Sequence, residues 1–185
     1  MARNFLFILV CCLAVIACKS PEARRPVQRT SGTFINKSAE RNKELFEKEK
    51  AQITKLIESN PAQQYITSNS GFWYYYNIQD SLKTQKPTYG DHIKFTHNIK
   101  NLEGVLILSE NEIGLQDYIV DKSNQDLISG LRDGIKLMKE GETITFLFPS
   151  YKAYGYYGIK NKLGANVPIQ CTVTLKNINQ TNENY

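Results

Sequence analysis

Residues 125–158 read QDLISGLRDGIKLMKEGETITFLFPSYKAYGYYG, and this stretch says more about the architecture than any other part of the chain. Its first half has apolar side chains at helical spacing, which predicts a helix of about three turns with one buried face. These side chains are Leu127, Ile128, Leu131, Ile135 and Met138. We expect Gly141 to end the helix and residues 143–148 to form a strand that Pro149 stops. A loop containing Tyr154 follows.

Two glycines, Gly130 and Gly134, interrupt the helical pattern. A glycine inside a helix costs about 1 kcal/mol relative to alanine, so two of them in one short helix need a structural reason. A helix that lies close against a sheet supplies that reason, because a side chain at the contact would obstruct the approach. The pair therefore predicts a helix packed directly on strands.

The segments on both sides of this stretch have the composition of strands. They are residues 72–78, 92–99, 105–108, 115–120 and 169–175. Several strands around one helix indicate an α+β domain, in which an antiparallel sheet curls over that helix.

This ordered series of features resembles the FKBP-type peptidyl-prolyl isomerases. The matching positions are Leu127-Ile128, Gly130, Gly134, Met138, Gly141, Pro149 and Ala153-Tyr154-Gly155, preceded by Ser70-Gly71-Phe72-Trp73-Tyr74, Pro87, Gly90-Asp91 and Phe95. The resemblance implies the fold of that family over residues 70–178, a half-open antiparallel β-sheet wrapped around a short central helix. It also implies cis-trans isomerisation of the bonds that precede proline, with proline-containing polypeptides as substrates.

The resemblance assigns roles to four residues. Tyr154 matches the tyrosine whose hydroxyl points at the substrate carbonyl. Leu127 and Ile128 match the pair at the helix start that contacts the prolyl segment. Leu131 stands at the floor of the pocket, where many bacterial members also have leucine.

Other pocket positions depart from the pattern of the family. His97 stands where tyrosine is usual, Ile107 replaces an aromatic residue, Leu108 replaces an aspartate, and Cys171 replaces a phenylalanine of the floor. These changes imply a larger and less polar cleft, with modest turnover and weak binding of macrolides. By the two-residue period of a strand, His97 shares the inward face of Phe95. It either lines the cleft or is a hydrogen-bonded histidine at the rim.

Residue sets for other kinds of catalysis do not stand out in the sequence. The two histidines, His92 and His97, are five positions apart on a predicted strand, so they point to opposite faces and cannot share a metal ion. No Gly-rich phosphate loop is present. Prolyl isomerisation needs no such group, since its barrier of about 18–20 kcal/mol arises from amide resonance. We therefore expect no metal and no cofactor.

The charge balance argues against nucleic acid as a partner. The net charge is +5, from 23 basic and 18 acidic residues. The basic residues do not form the concentrated stripe with interleaved aromatic residues that is typical of nucleic-acid binding.

Residues 1–17 have the layout of an export signal, with Arg3 followed by an almost wholly apolar run at 5–16. That run is too short to remain as a membrane-spanning helix. The sequence Val15-Ile16-Ala17-Cys18 is similar to the cleavage site of bacterial lipoproteins, in which Cys18 would become the acylated first residue. We expect a lipid-anchored, periplasm-facing protein of the bacterial cell envelope, on either membrane. A plain secretory signal is the alternative.

The rest of the chain divides by composition. The composition of residues 18–37 predicts a flexible tether. The pattern of residues 38–61 predicts an extra N-terminal helix that ends at Asn60-Pro61. This helix either packs on its own domain or dimerises, and the oligomeric state stays open. The polar tail at 179–185 is expected to fray. Cys171 is the one cysteine left after signal removal and lipidation, so no internal disulfide can form and burial is expected for it.

Two functions are compatible with these features. The first is an envelope prolyl isomerase that assists the folding of exported proteins. The lipoprotein signal, the charged helix and the altered pocket together are similar to the gliding-motility-associated lipoprotein isomerases of Bacteroidota. The second is a non-catalytic module on the same fold, acting as a chaperone or an assembly component.

Overall fold

The computed structural model describes residues 32–122 and 127–180. The predicted signal at 1–17, the lipidation site Cys18 and residues 181–185 lie outside the described residues. The chain divides into two compact units, residues 1–39 and 40–185. The described part of the first unit is helical, and the strands of the described residues belong to the second unit.

Helix α1 (Gly32–Ser59) begins earlier than the sequence predicts, so residues 32–37 are helical and do not belong to a tether. No proline occurs between Pro26 and Pro61, and each residue added to a formed helix gains a hydrogen bond. The helix ends where the Ser59 hydroxyl and the Asn60 side-chain amide donate to the carbonyl of Leu56. Within the described ranges, no helix combines the length and apolar character needed to cross a membrane.

The second unit contains an antiparallel sheet and two further helices, as the predicted α+β class requires. Its elements are β1 (Ile66–Thr67), β2 (Trp73–Ile78), β3 (His92–Asn101), β4 (Leu106–Leu108), α2 (Glu110–Ile113), β5 (Gln116–Ile119), α3 (Ser129–Ile135), β6 (Thr143–Phe148), a 3-10 turn (Ser150–Lys152) and β7 (Ile169–Asn179). The strand order is β1-β2-β6-β7-β3-β4, and β5 pairs with β3. The predicted fold, a sheet around a short helix with an extra N-terminal helix, is confirmed.

Strand β3 is the centre of the sheet. One of its edges pairs with β7 from His92 to Asn101. The other edge is shared, because β5 pairs with its first half and β4 with its second half. Side chains alternate along β3 as predicted, and the buried ones are Ile93, Phe95, His97 and Ile99. This face turns towards the core.

Helix α3 lies directly against β6. A β-carbon at Gly130 would stand 2.6 Å from the ring of Phe148, and one at Gly134 would stand 2.9 Å from the ring of Phe146. Both distances are too short for any side chain, so both positions require glycine at this approach. The prediction from the two glycines is confirmed.

Helix α3 is shorter than the predicted three turns. It ends at Ile135, and the amides of Leu137 and Met138 donate to carbonyls three residues earlier, which is the geometry of tight turns. Gly141 does not end the helix, because it lies in the connection to β6. It has a φ of +89°, and its amide donates to the carbonyl of Leu175 at 2.7 Å.

Strand β7 extends further than predicted, while β4 and β5 are shorter. Ile178 and Asn179 pair with the start of β3, and the Ile178 amide also donates to the carboxylate of Glu140 at 3.0 Å. These bonds hold Asn179 in the sheet, so the expected tail does not begin there.

Candidate functional site

Tyr154 lies in the loop that follows β6. Pro149 ends the strand, and the 3-10 turn at Ser150–Lys152 reverses the chain. The carbonyl of Ser150 then accepts hydrogen bonds from the amides of Ala153 at 3.0 Å and Gly155 at 2.9 Å. The two residues that flank Tyr154 are therefore fixed to one carbonyl group.

The side chain of Tyr154 is half-buried and packs against the hydrophobic core. Burial raises the pKa of its hydroxyl to about 12, and the nearby Cys171 thiol acts in the same direction. The phenol is therefore protonated at neutral pH. No hydrogen bond from this hydroxyl to another described residue occurs, so it can donate to a ligand.

The start of α3 lies beside this loop. The hydroxyl of Ser129 donates to the carbonyl of Lys152 at 3.4 Å, and the Lys152 ammonium forms a 2.8 Å ion pair with Asp133. Leu127 and Ile128 come just before these contacts, and both are half-buried side chains packed against the core. The pair predicted to contact a prolyl segment is thus next to the tyrosine loop.

Two fully buried side chains lie in the core beneath these groups. Leu131 is buried on α3, and Cys171 is buried on β7 and free of any disulfide. Burial raises the pKa of the Cys171 thiol above its ordinary range, so this cysteine behaves as a small apolar side chain and not as a nucleophile. The predicted burial of Cys171 is confirmed.

His97 is almost wholly buried on β3, with its ring centroid 5.6 Å from that of Phe95. Its Nδ1 atom is buried and has no hydrogen-bond partner in the part of the chain that the structure describes. The alternative of a hydrogen-bonded rim histidine therefore does not hold at this atom. Burial lowers the pKa of the imidazole to about 4, although Glu110 acts in the opposite direction. His97 is neutral at pH 7.

Strand β4 contributes Ile107 and Leu108, which are half-buried and pack on the same core. Leu108 pairs with Ile99 of β3, two residues from His97. An aliphatic side chain at Leu108 cannot pair with the imidazole, which is consistent with the free Nδ1 atom of His97.

Sequence reasoning missed several apolar groups that pack on this core. They are Tyr74 and Tyr76 on β2, Ile113 at the end of α2, and Ile159 and Val167 in the long connection before β7. The two tyrosines had a signal, since they share one face of an alternating aromatic strand. The residues of the connection had none, because a loop has no periodicity from which to predict a face.

Two surface grooves border α1 between residues 42 and 59, with volumes of about 580 and 550 Å³. Asn166 lines both grooves, and neither is lined by Tyr154. The candidate site is therefore identified from the chemistry of its side chains and not from these cavities. Across residues 32–122 and 127–180, no group of three His, Cys, Asp or Glu side chains could hold a metal ion.

Comparison with known proteins identifies a family and a fold for this chain. The model of a family described as FKBP-type peptidyl-prolyl cis-trans isomerase matches residues 83–176, just over half of the chain. No curated protein matches the chain. The chain is similar to the solved structure of a peptidyl-prolyl cis-trans isomerase from Pseudomonas syringae pv. tomato, with 18% identity, a TM-score of 0.56, and coverage of 71% of this chain and 92% of that one. It is also similar to FkpA from Escherichia coli, with 18% identity, a TM-score of 0.58, and coverage of 93% and 80%. At such identities the two structures bear on the fold alone.

Proposed function

The chain belongs to the FKBP-type peptidyl-prolyl cis-trans isomerase family, and we propose that it isomerises prolyl bonds of exported polypeptides at the site around Tyr154, as a lipid-anchored protein of the bacterial cell envelope. Membership of the family sets the class of reaction.

Prolyl isomerisation makes modest demands on a site. The bond rotates without a nucleophile and without proton transfer, and the barrier arises from amide resonance. The twisted amide of the transition state is less conjugated and less polar than either planar form. An apolar site that excludes water and offers a placed hydrogen-bond donor therefore favours the transition state over the ground state.

The observation that carries this proposal is the state of Tyr154. Its phenol is protonated and half-buried, and it has no partner among the described residues, so the hydroxyl is available for a substrate carbonyl. Leu127 and Ile128 then contact the prolyl ring from the start of α3. Leu131 and Cys171 form the apolar floor.

The remaining pocket residues give this site a distinctive character. Ile107 and Leu108 are half-buried and contribute aliphatic surface only. From the resemblance to the family we therefore expect a wider and less polar cleft. His97 adds a neutral imidazole whose Nδ1 atom has no hydrogen-bond partner among the described residues. We expect an apolar pocket that takes proline without the polar contacts that macrolides require.

The proposed location follows from the first residues of the chain, where the export signal at 1–17 precedes Cys18. Multiple acyl chains hold a protein stably on a membrane. Prolyl isomerisation takes tens to hundreds of seconds without a catalyst, which is slow enough to limit the folding of exported proteins. An anchored isomerase would remove that delay. We propose components of gliding motility as clients, because the lipoprotein signal, the charged helix and the altered pocket together resemble the gliding-motility-associated lipoprotein isomerases.

A second candidate function is that of a non-catalytic chaperone or assembly module on the same fold. The observation that favours it is the loss of polar and aromatic pocket groups at Leu108, Ile107 and Cys171. A wide apolar cleft can hold an unfolded segment without turning over its prolyl bonds. In that case an Ile128→Ala variant would suppress aggregation of a denatured client as well as the wild-type protein does.

The isomerase proposal is tested by a protease-coupled assay on an Ala-Xaa-Pro peptide. The wild-type protein should accelerate the slow phase of peptide cleavage, which reports cis-to-trans isomerisation of the prolyl bond. Ile128→Ala should reduce kcat/KM, because it removes contact with the prolyl ring. Leu82→Ala is a matched control, since Leu82 is 91% exposed and distant in sequence from the site. Equal rates for wild type and Ile128→Ala would contradict the assignment of the site.

The proposed anchor has a separate test. Metabolic labelling with a fatty acid should mark the wild-type protein and leave a Cys18→Ser variant unlabelled. Unlabelled wild-type protein would support the plain secretory signal and remove the anchor from the proposal.

A further inference from the structure

We propose that Glu49 of α1 is a positioning residue for the isomerase site, because its carboxylate fixes the loop that presents Tyr154. The inference rests on the proposed role of Tyr154 and extends the site to a helix outside the residues 83–176 that match the family model.

Glu49 makes an unusual contact for a residue on a charged helix. It is 2% exposed, and both of its carboxylate oxygens are used by one residue. Oε1 accepts from the hydroxyl of Ser150 at 2.6 Å, and Oε2 accepts from the Ser150 amide at 2.7 Å. Within residues 32–122 and 127–180, no lysine or arginine forms an ion pair with it. A buried carboxylate is unfavourable without such hydrogen bonds, so the contact is strongly specified.

Ser150 connects this carboxylate to Tyr154. Its amide and hydroxyl donate to Glu49, while its carbonyl accepts from the amides of Ala153 and Gly155. Glu49 therefore fixes the amide and hydroxyl of Ser150, and the Ser150 carbonyl in turn fixes the backbone amides of both neighbours of Tyr154. The position of the phenol depends on this sequence of bonds.

A second contact one turn earlier on α1 supports the same segment. The ring of Phe46 meets that of Tyr151 edge-on, with the centroids 5.7 Å apart. The Tyr151 hydroxyl donates to the carbonyl of Gly71 at 3.0 Å. The 3-10 turn is thus held between α1 and the start of β2, which limits how far Tyr154 can move relative to the sheet.

The test compares Glu49→Ala in two backgrounds, using the full chain and the peptide assay. In the wild-type background we expect kcat/KM to fall about three- to tenfold, as far as it falls on loss of the hydroxyl itself, because small misplacements of a catalytic group are expensive. In a Tyr154→Phe background the same change should lower kcat/KM less than twofold, since the hydroxyl that Glu49 positions is absent. An equal loss in both backgrounds, or no loss in either, would overturn the proposal.

Conservative variants separate positioning from folding. Glu49→Gln keeps an oxygen for the Ser150 amide and gains a donor for its hydroxyl, so we expect activity within about twofold of wild type. Ser150→Ala keeps the hydrogen bond from the backbone amide to Glu49 and removes the one from the hydroxyl, so kcat/KM should fall about threefold. If Glu49→Ala fails to fold, these two variants carry the test, and the proposal is wrong if Ser150→Ala is fully active. Glu47→Ala is the control, because Glu47 is exposed on the same helix.

Failure of the inference and failure of the proposed function give different results. If Tyr154→Phe alone is as active as wild type, the proposed site is wrong. If Tyr154→Phe is impaired while Glu49→Ala is not, the site stands and Glu49 has no positioning role.

Discussion

Gly134 of α3 lies so close to the ring of Phe146 on β6 that a β-carbon there would stand 2.9 Å from two ring carbons. This contact sets the distance between the central helix and the sheet, and therefore the position of Leu127 and Ile128 at the start of that helix. The packing of this helix on β6 therefore also positions two residues of the proposed site.

Gly134→Ala should therefore destabilise the protein, although alanine favours helices. Overpacking of a core costs about 1–3 kcal/mol, and at a distance of 2.9 Å we expect the upper half of that range, which outweighs the gain in helix propensity of about 1 kcal/mol. We expect a net loss of about 1–2 kcal/mol in the free energy of unfolding, measured by urea denaturation. Gly164→Ala is the matched control, since its new β-carbon would lie 3.8 Å from Val167 in ordinary contact. A Gly134→Ala protein as stable as wild type would contradict the close packing.

The buried imidazole of His97 predicts a pH dependence of stability. The pKa falls from 6.5 in the unfolded chain to about 4 in the folded protein, mainly through burial. Between these values the unfolded state binds a proton that the folded state does not, so stability is present above pH 6.5 and is lost as the pH falls towards 4. The shift corresponds to about 3 kcal/mol.

Urea denaturation across this pH range checks the sign and size of that effect. His97→Phe should have a flatter profile than wild type between pH 4 and 6.5. The difference between the two profiles isolates the imidazole from carboxyl groups that titrate in both proteins. Parallel profiles would mean that His97 is not buried as a neutral group.

Cys171 should resist thiol reagents in the native protein. Its side chain is fully buried, and burial raises the pKa of the thiol, so little reactive thiolate forms at neutral pH. In buffer we expect iodoacetamide to leave the peptide that contains Cys171 unmodified, as measured by mass spectrometry. In roughly 6 M guanidinium, a concentration that unfolds even very stable domains, we expect complete modification of the same peptide. Rapid modification in buffer would contradict the buried floor of the site.

The sequence predicted the features of the fold that produce a local pattern, such as a two-residue alternation or a pair of glycines in a helix. The alternation of Ile93, Phe95 and His97 on β3 gave the inward face, and the paired glycines gave the contact between helix and sheet. The predicted end of α3 was wrong, because Met138 continues the helical spacing of apolar residues but lies in a turn, where it is still buried. Periodicity reports burial there and not backbone conformation.

Contacts between distant segments left no local signal. Glu49 has the same sequence context as the exposed glutamates of α1, and its partner Ser150 is 101 residues away. The His97 Nδ1 atom, which is buried and has no hydrogen-bond partner among the described residues, likewise left no signal in the sequence. Such features require the packed structure, because they depend on which side chains tertiary contact brings together.

The value of kcat/KM for Tyr154→Phe, measured beside wild type on an Ala-Xaa-Pro peptide, tests the central claim most directly. The hydroxyl has no partner within the described part of the chain, so its removal should leave the free energy of unfolding within about 0.5 kcal/mol. Loss of one hydrogen bond to the twisted amide should lower kcat/KM about three- to tenfold. A wild-type protein with no activity, or a Tyr154→Phe protein with full activity and an intact fold, would contradict the account.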